Sequence, residues 1–289
     1  MKRILSVLLF AVSLNPAFAQ VKLSPHWEEL TAADFVKAMG DAKGVCMLPI
    51  GIIEKHGPQL PLGTDLLNVR RAASDAAQKE YAVIFPAYYF GQIFEARHQP
   101  GTVAYSLELQ LKLLQETTDE MARNGCRKVL IVNGHGGNES LLPLFAQSQL
   151  AKPHDYVVYV FGLPQREVPG RPPAHDKIDM HAGETETSTM LANRPELVHL
   201  DRAPQESGAD QHRVNLPSSV YTGIWWYAKF PNHYAGDAST ANQQLGDFDL
   251  NSWSNQIAEA LRAVKADEVS YQLQQEFYQQ AKSPLNTPQ

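Results

Sequence analysis

Three short stretches of the chain concentrate residue types that do chemistry. The first is Glu54-Lys55-His56-Gly57-Pro58, which continues through Leu60-Pro61-Leu62-Gly63-Thr64 to Asp65. Glu54 and His56 are two apart, so in an extended segment both side chains point the same way. A Pro- and Gly-bearing turn can then fold Asp65 back beside them. Carboxylate, imidazole and carboxylate together suit zinc, manganese or iron. The bland rival is a polar loop with a solvated Glu and an incidental His, because short matches of this kind are common.

The second stretch is Asn133-Gly134-His135-Gly136-Gly137-Asn138, directly after the apolar run Lys128–Val132. Glycines let the backbone approach whatever His135 contacts, and loops that follow strands carry function. A phosphate-cradling loop would need a Lys-Ser/Thr after the glycines, and none follows. The third stretch is His181-Ala182-Gly183-Glu184-Thr185-Glu186-Thr187-Ser188. It could supply a ligand and a general acid or base near a helix start. It could equally be ordinary capping with acidic first-turn residues.

Asp65 is best placed to bridge two ions, since each carboxylate oxygen can take one. Two such ions would share a hydroxide that attacks an amide carbonyl while one of them polarises the carbonyl oxygen. Other chemistries find less support. There is no Gly-x-Ser-x-Gly elbow, and neither cysteine, Cys46 or Cys126, lies near a chemical motif. The two cysteines could pair in an exported protein, but each heads an apolar run, and buried free thiols are at least as well supported.

The elements that must position these residues alternate. Strand-like runs at 44–50, 81–85, 128–132 and 155–161 are separated by helical patterns at 66–78, 107–124 and 140–151. Apolar strands alternating with helices predict a largely parallel sheet covered on both faces. Such sheets bind ligands at the carboxyl ends of their strands, and the chemical stretches all follow strands. Pro164–Pro173 reads as a loop, and 202–245 as a polar excursion carrying Trp225-Trp226-Tyr227 that closes the site or meets another subunit. These aromatics fit core or interface better than pocket lining, and His233 could be a further ligand but fits a surface-loop histidine better. Residues 246–282 form a terminal helical region.

The chain opens with Lys2-Arg3, an apolar run from Ile4 to Val12 and Ala17-Phe18-Ala19, the pattern of a secretory leader over residues 1–19. No later run approaches the ~20 apolar residues of a membrane helix. The reading is therefore an exported chain, periplasmic or secreted, with no membrane contact after leader cleavage. It comprises one domain over 20–282 and a disordered tail at 283–289. The leader holds two basic residues and no acidic one, so its removal takes the formal charge from −6 to −8. A mildly acidic chain without a basic cluster argues against a nucleic-acid partner and for a small ligand in a pocket.

The ordered segments LPIGIIEKHGPQLPLGTD, VNGHGGN and HAGETETS, with fainter echoes at Pro100–Thr102 and Gly236–Gly246, resemble the creatininase (creatinine amidohydrolase) family. The resemblance implies a three-layer αβα sandwich with a mostly parallel sheet and two divalent metal ions, zinc or manganese with iron as a further option. It also implies hydrolysis of an amide-like C–N bond in a small cyclic amide or formamide, and a homo-oligomer, often a hexamer. Carried across position by position, Glu54, His56, Asp65 and His135 look like metal ligands, joined by Glu186. His181 resembles the family's proton-handling histidine, with Glu184 as a neighbouring catalytic candidate. The chain departs from creatininase itself at Gly137, where that enzyme carries a metal-binding glutamate, and at Ala96, where the family often has a histidine; here His98 lies two residues later. Two rival readings stand beside this one: a peptidase-like enzyme that trims an exported peptide, and a metal- or ligand-binding protein without catalysis.

Overall fold

The structure, a computed structural model, describes residues 23–287; the leader at 1–19 lies outside the described residues. The main elements run α1 (Ala32–Asp41), β1 (Val45–Ile50), α2 (Thr64–Lys79), β2 (Val83–Ile84), α3 (Leu107–Arg123), β3 (Lys128–Asn133), α4 (Leu141–Ser148), β4 (Val157–Phe161), α5 (Glu184–Asn193), α6 (Trp225–Lys229), α7 (Gln243–Ala266) and α8 (Val269–Ala281). The strands form one parallel sheet in the order β2-β1-β3-β4.

Alternation along β1 explains the layers. Cys46, Leu48 and Ile50 face one side, where Leu114 and Met121 of α3 and Leu141, Leu142 and Phe145 of α4 pack on them. Val45 and Met47 face the other, against the alanines of α2 and against Leu250, Trp253, Ile257 and Leu261 of α7. Both faces are dry, which is why the strand sequences are apolar throughout. The result is the αβα sandwich that the strand–helix alternation and the resemblance imply.

The carboxyl ends of β1 and β3 lie side by side, with Ile50 opposite Asn133. The loops bearing Glu54-His56 and His135 therefore leave the same edge of the sheet. Helix α2 is drawn hard against that edge: a Cβ on Gly51 would lie 2.2 Å from the Leu66 amide nitrogen. Only glycine permits this approach, and it sets Asp65, in the first turn of α2, beside the strand ends.

The structure settles or refines several of these expectations. Cys46 and Cys126 are not free thiols but a disulfide, with Cα atoms 5.6 Å apart across a separation of 80 residues. Cys46 lies in β1 and Cys126 just before β3; the pairing of these two strands, invisible in sequence, brings the thiols together. The second strand is shorter than its apolar run, only Val83–Ile84. The terminal helical region is two helices, and Asp267 caps the second by accepting hydrogen bonds from the Val269 and Ser270 amides. The tail is not wholly irregular: Pro284–Asn286 forms a 3-10 turn. Among the described residues no helix is long and apolar enough to cross a membrane.

Candidate metal centre

Six of the seven residues singled out from sequence are brought together at the strand ends; Glu184 is not. Glu54 and His56 are fully buried, Asp65 and His135 nearly so, while Glu186 is partly exposed. The closest approaches involve His135, whose Nδ1 lies 2.8 Å from Glu54 Oε1 and 2.9 Å from Asp65 Oδ2. On the far side of Asp65, Oδ1 is 3.0 Å from His56 Nε2. Glu186 Oε2 is 3.9 Å from both His56 Nε2 and His181 Nδ1. Asp65 thus faces two groups with different oxygens. One group is Glu54, Asp65 and His135, and another is His56, His181 and Glu186.

Backbone carbonyls orient these imidazoles. A carbonyl can only accept, so each ring nitrogen facing one carries the hydrogen. His135 Nε2–H donates to the Gln92 carbonyl at 2.9 Å, His56 Nδ1–H to that of Glu54 at 3.2 Å, and His181 Nε2–H to that of Lys55 at 2.8 Å. In its neutral form each ring then turns the lone pair of its other nitrogen toward carboxylates. Lone pair on lone pair at these distances is repulsive unless a cation lies between them. Consistent with this, Glu54 Oε1 and Asp65 Oδ2 are buried and meet no donor other than His135 Nδ1. Buried carboxylates without compensating positive charge cost several kcal/mol each, on the order given for desolvated ions. The donor set therefore fits divalent cations: mixed O and N ligands, with outer hydrogen bonds fixing each imidazole.

The titration behaviour follows from the same crowding. Burial opposes charge on His56, but the Asp65, Glu54 and Glu186 carboxylates overcome it and raise its pKa to about 10. His135 is likewise held well above the ordinary imidazole range, burial being outweighed by Glu54 and Asp65. Glu54, which burial alone would push up, is held well below the carboxylate range by His135, His181 and His233. A cation is ligated only by the neutral rings, so its uptake at this cluster is coupled to proton release.

The glycine-rich stretch is built around His135. Asn133 accepts from the His135 amide (3.1 Å), and Asn138 accepts from the Gln92 amide (3.0 Å), placing the Gln92 carbonyl over the ring. A Cβ on Gly137 would lie 2.5 Å from His135 Nε2 and 2.8 Å from that carbonyl. The departure at this position thus has a steric cause: a glutamate cannot be inserted without moving the His135 anchor. Gln59 ties the first stretch to the third, donating to the Ala182 carbonyl at 2.7 Å.

Glu184 serves elsewhere. Its carboxylate accepts hydrogen bonds from the His175 and Asp176 amides, and His175 Nδ1 lies 3.0 Å from its other oxygen. Burial would raise its pKa, but these bonds win and hold it at about 2. It braces the 175–176 loop and does not belong to the cluster.

Sequence reasoning missed His233 and Trp226. His233 is not a surface-loop residue: it is 2% exposed, with Nε2 2.5 Å from Glu54 Oε2. Trp226 packs edge-on to His181 and His233, with centroids 6.0 and 5.7 Å apart, so this aromatic lines the site. The only local signal was adjacency, an Asn-His-Tyr stretch just before the Gly236–Gly246 echo. The cause is tertiary: Ala235 pairs with His181 as an antiparallel bridge, which draws residue 233 over the third stretch. His98 stays outside the cluster and binds the Pro231 carbonyl at 2.7 Å.

A parallel αβα sandwich that gathers buried carboxylates and imidazoles at the ends of its strands is a scaffold for metal-site chemistry. The chain belongs to the creatininase family: the family model, described as creatinine amidohydrolase, matches residues 28–261. It is 26% identical over 259 residues to creatinine amidohydrolase of Pseudomonas putida, covering 81% of this chain and 95% of that one. It is 32% identical over 211 residues to the mycofactocin precursor peptide peptidase of Mycobacterium tuberculosis, covering 69% of this chain and 77% of that one. A solved mutant creatininase of Zn–Zn type superposes with a TM-score of 0.67 at 25% identity, covering 85% of this chain and all of that one. These relatives are hydrolases.

Proposed function

We propose that this protein is a metal-dependent amidohydrolase that cleaves an amide-like C–N bond of a small cyclic amide or formamide, using two divalent ions, zinc or manganese. The observation that carries this reading is the convergence of imidazole nitrogens on buried carboxylate oxygens that no other donor reaches. Glu54, Asp65 and His135 would hold one ion; His56, Asp65 and Glu186, with His181 beside them, would hold the other. Bound there, the ions supply an activated water at neutral pH and polarise the substrate carbonyl.

The chain's own residues do the rest. Carbonyls of Gln92, Glu54 and Lys55 lock the histidine tautomers. His181 lies beside Glu186, the most exposed member of the cluster, and is the group positioned to pass a proton to the leaving nitrogen. Trp226 walls this side and limits water access.

A second reading, hydrolysis of a peptide amide, is favoured by the 32% identity to a peptide peptidase. Both readings fit an exported, self-associating enzyme; the buried Cys46–Cys126 bond supports export, since disulfides persist in oxidising compartments. The test is elemental analysis of the mature protein followed by turnover on cyclic amides, formamides and short peptides. Two ions per chain with turnover of a non-peptide amide supports the first reading. Turnover of peptides alone selects the second, and turnover of nothing by the metal-loaded protein defeats both.

A further inference from the structure

His233 could be taken for a ligand, because Glu54, His181 and His233 place one donor atom each within 4.8 Å of one another. The hydrogen positions argue otherwise. Trp226 Nε1–H donates to His233 Nδ1 at 2.8 Å. An indole nitrogen can only donate, so Nδ1 is the acceptor and the ring hydrogen sits on Nε2. That Nε2–H points at Glu54 Oε2, 2.5 Å away. The nearest nitrogen of His181 to the same oxygen, Nε2 at 3.9 Å, also carries its hydrogen, which it gives to the Lys55 carbonyl. Neither imidazole therefore turns a lone pair toward Glu54 Oε2, and this group is not a cation position. The His233 hydrogen instead occupies one oxygen of the carboxylate and leaves the other, Oε1, facing His135 Nδ1.

The surrounding chain is built to hold this arrangement. The turn before His233 is fixed by His98 and Gln99, which both reach the Pro231 carbonyl, at 2.7 and 3.0 Å. His233 itself adopts φ +56°, a left-handed backbone conformation uncommon for a non-glycine residue. Such conformations persist where the surroundings over-determine them, often beside functional groups. Trp226 also packs on Phe230 with centroids 5.1 Å apart, so its indole is set by packing as well as by its hydrogen bond.

We propose that Trp226 and His233 are a positioning pair for the Glu54 carboxylate: His233 is not a metal ligand, and it consumes Glu54 Oε2 so that Glu54 binds a cation through Oε1 alone. This rests on the metal reading above for its consequence, although the hydrogen-bond arrangement is a property of the metal-free chain. A ligating carboxylate restrained in this way is pre-oriented, and loss of an outer partner typically weakens metal binding about 10- to 100-fold without deleting a site.

The experiment uses the full mature chain labelled with 15N-histidine, metal-free and loaded with cadmium-113, with the His233 signal assigned by its loss in His233→Gln. The expected result is the Nε2–H tautomer in both states and no cadmium coupling to His233. An Nδ1–H tautomer, or coupling of His233 Nε2 to cadmium, would overturn the proposal. In parallel, Trp226→Phe keeps the ring packing and removes only the donor. It is expected to retain two ions at saturation while chelator competition reads a roughly 10- to 100-fold weaker affinity. An affinity within about twofold of wild type would overturn the positioning role. Should His233→Gln fail to fold, the signal is assigned by its shift in Trp226→Phe. If wild type takes up no metal, the reading under Proposed function fails, and the metal-free tautomer alone decides the pair: Nε2–H supports it and Nδ1–H overturns it.

Discussion

The two halves of the cluster are made differently. Glu54, His56, Asp65 and His135 come from loops leaving β1 and β3 and from the first turn of α2, all anchored on the sheet edge beside the Gly51–Leu66 contact. Their facing atoms lie 2.8 to 3.0 Å apart. His181 and Glu186 come from the loop before α5 and its first turn, and their approaches are 3.9 Å, with Glu186 26% exposed. The first half is rigid because the layers beneath it are packed. The second stands at the start of α5, whose buried face packs on α7, and its Glu186 is the most exposed member of the cluster. The difference predicts that the half anchored on the sheet edge holds an ion more tightly than the half that carries Glu186.

The largest expected effect comes from breaking the residue that both halves share. Asp65→Ala should remove both ions and lower turnover by about a thousandfold or more, since metals supply several kcal/mol of transition-state stabilisation; elemental analysis and kinetics check this. Retention of one ion would mean the halves are independent.

The scaffold under the first half can be tested without touching a ligand. Replacing Cys46 and Cys126 together by Ala should cost about 4 kcal/mol of unfolding free energy, the order expected for a closed loop this long. Denaturant melts read that loss, while metal content at low denaturant should stay at the wild-type value. If metal is lost as well, the sheet edge is less rigid than the contrast requires.

A smaller effect separates the halves directly. Glu186→Gln should lose the more weakly held ion or bind it about 10- to 100-fold less tightly, leaving the Glu54–Asp65–His135 ion in place. Chelator titration of wild type should show two phases, and a single phase would erase the contrast. The smallest effect is predicted for Glu184→Gln, which leaves ion content unchanged and costs about 1–2 kcal/mol by weakening charge-assisted bonds to the 175–176 loop. Loss of an ion in this variant would return Glu184 to the site.

Much of this protein is local and so legible in sequence. Continuous apolar runs leading into Glu54-Lys55-His56 and Asn133-Gly134-His135 fix both the strands and the edge from which the donors leave. The Pro- and Gly-bearing turn that folds Asp65 back beside them is local as well. The third stretch was readable as a motif, yet its spacing could not separate Glu186, which faces the cluster, from Glu184, which braces a loop. Two residues on one helical turn diverge in direction, and only the packing around them decides what each meets.

What tertiary structure alone decided involves partners far apart in the chain. The Cys46–Cys126 bond required β1 to pair with β3. The obstruction at Gly137 required the Gln92 carbonyl to sit over His135. His233 meets Glu54 across 179 residues because a single bridge between Ala235 and His181 folds the late excursion back onto the site. Sequence spacing encodes geometry only within an element or a tight turn; beyond that, a side chain's neighbours are set by the packing of layers that bury the apolar faces.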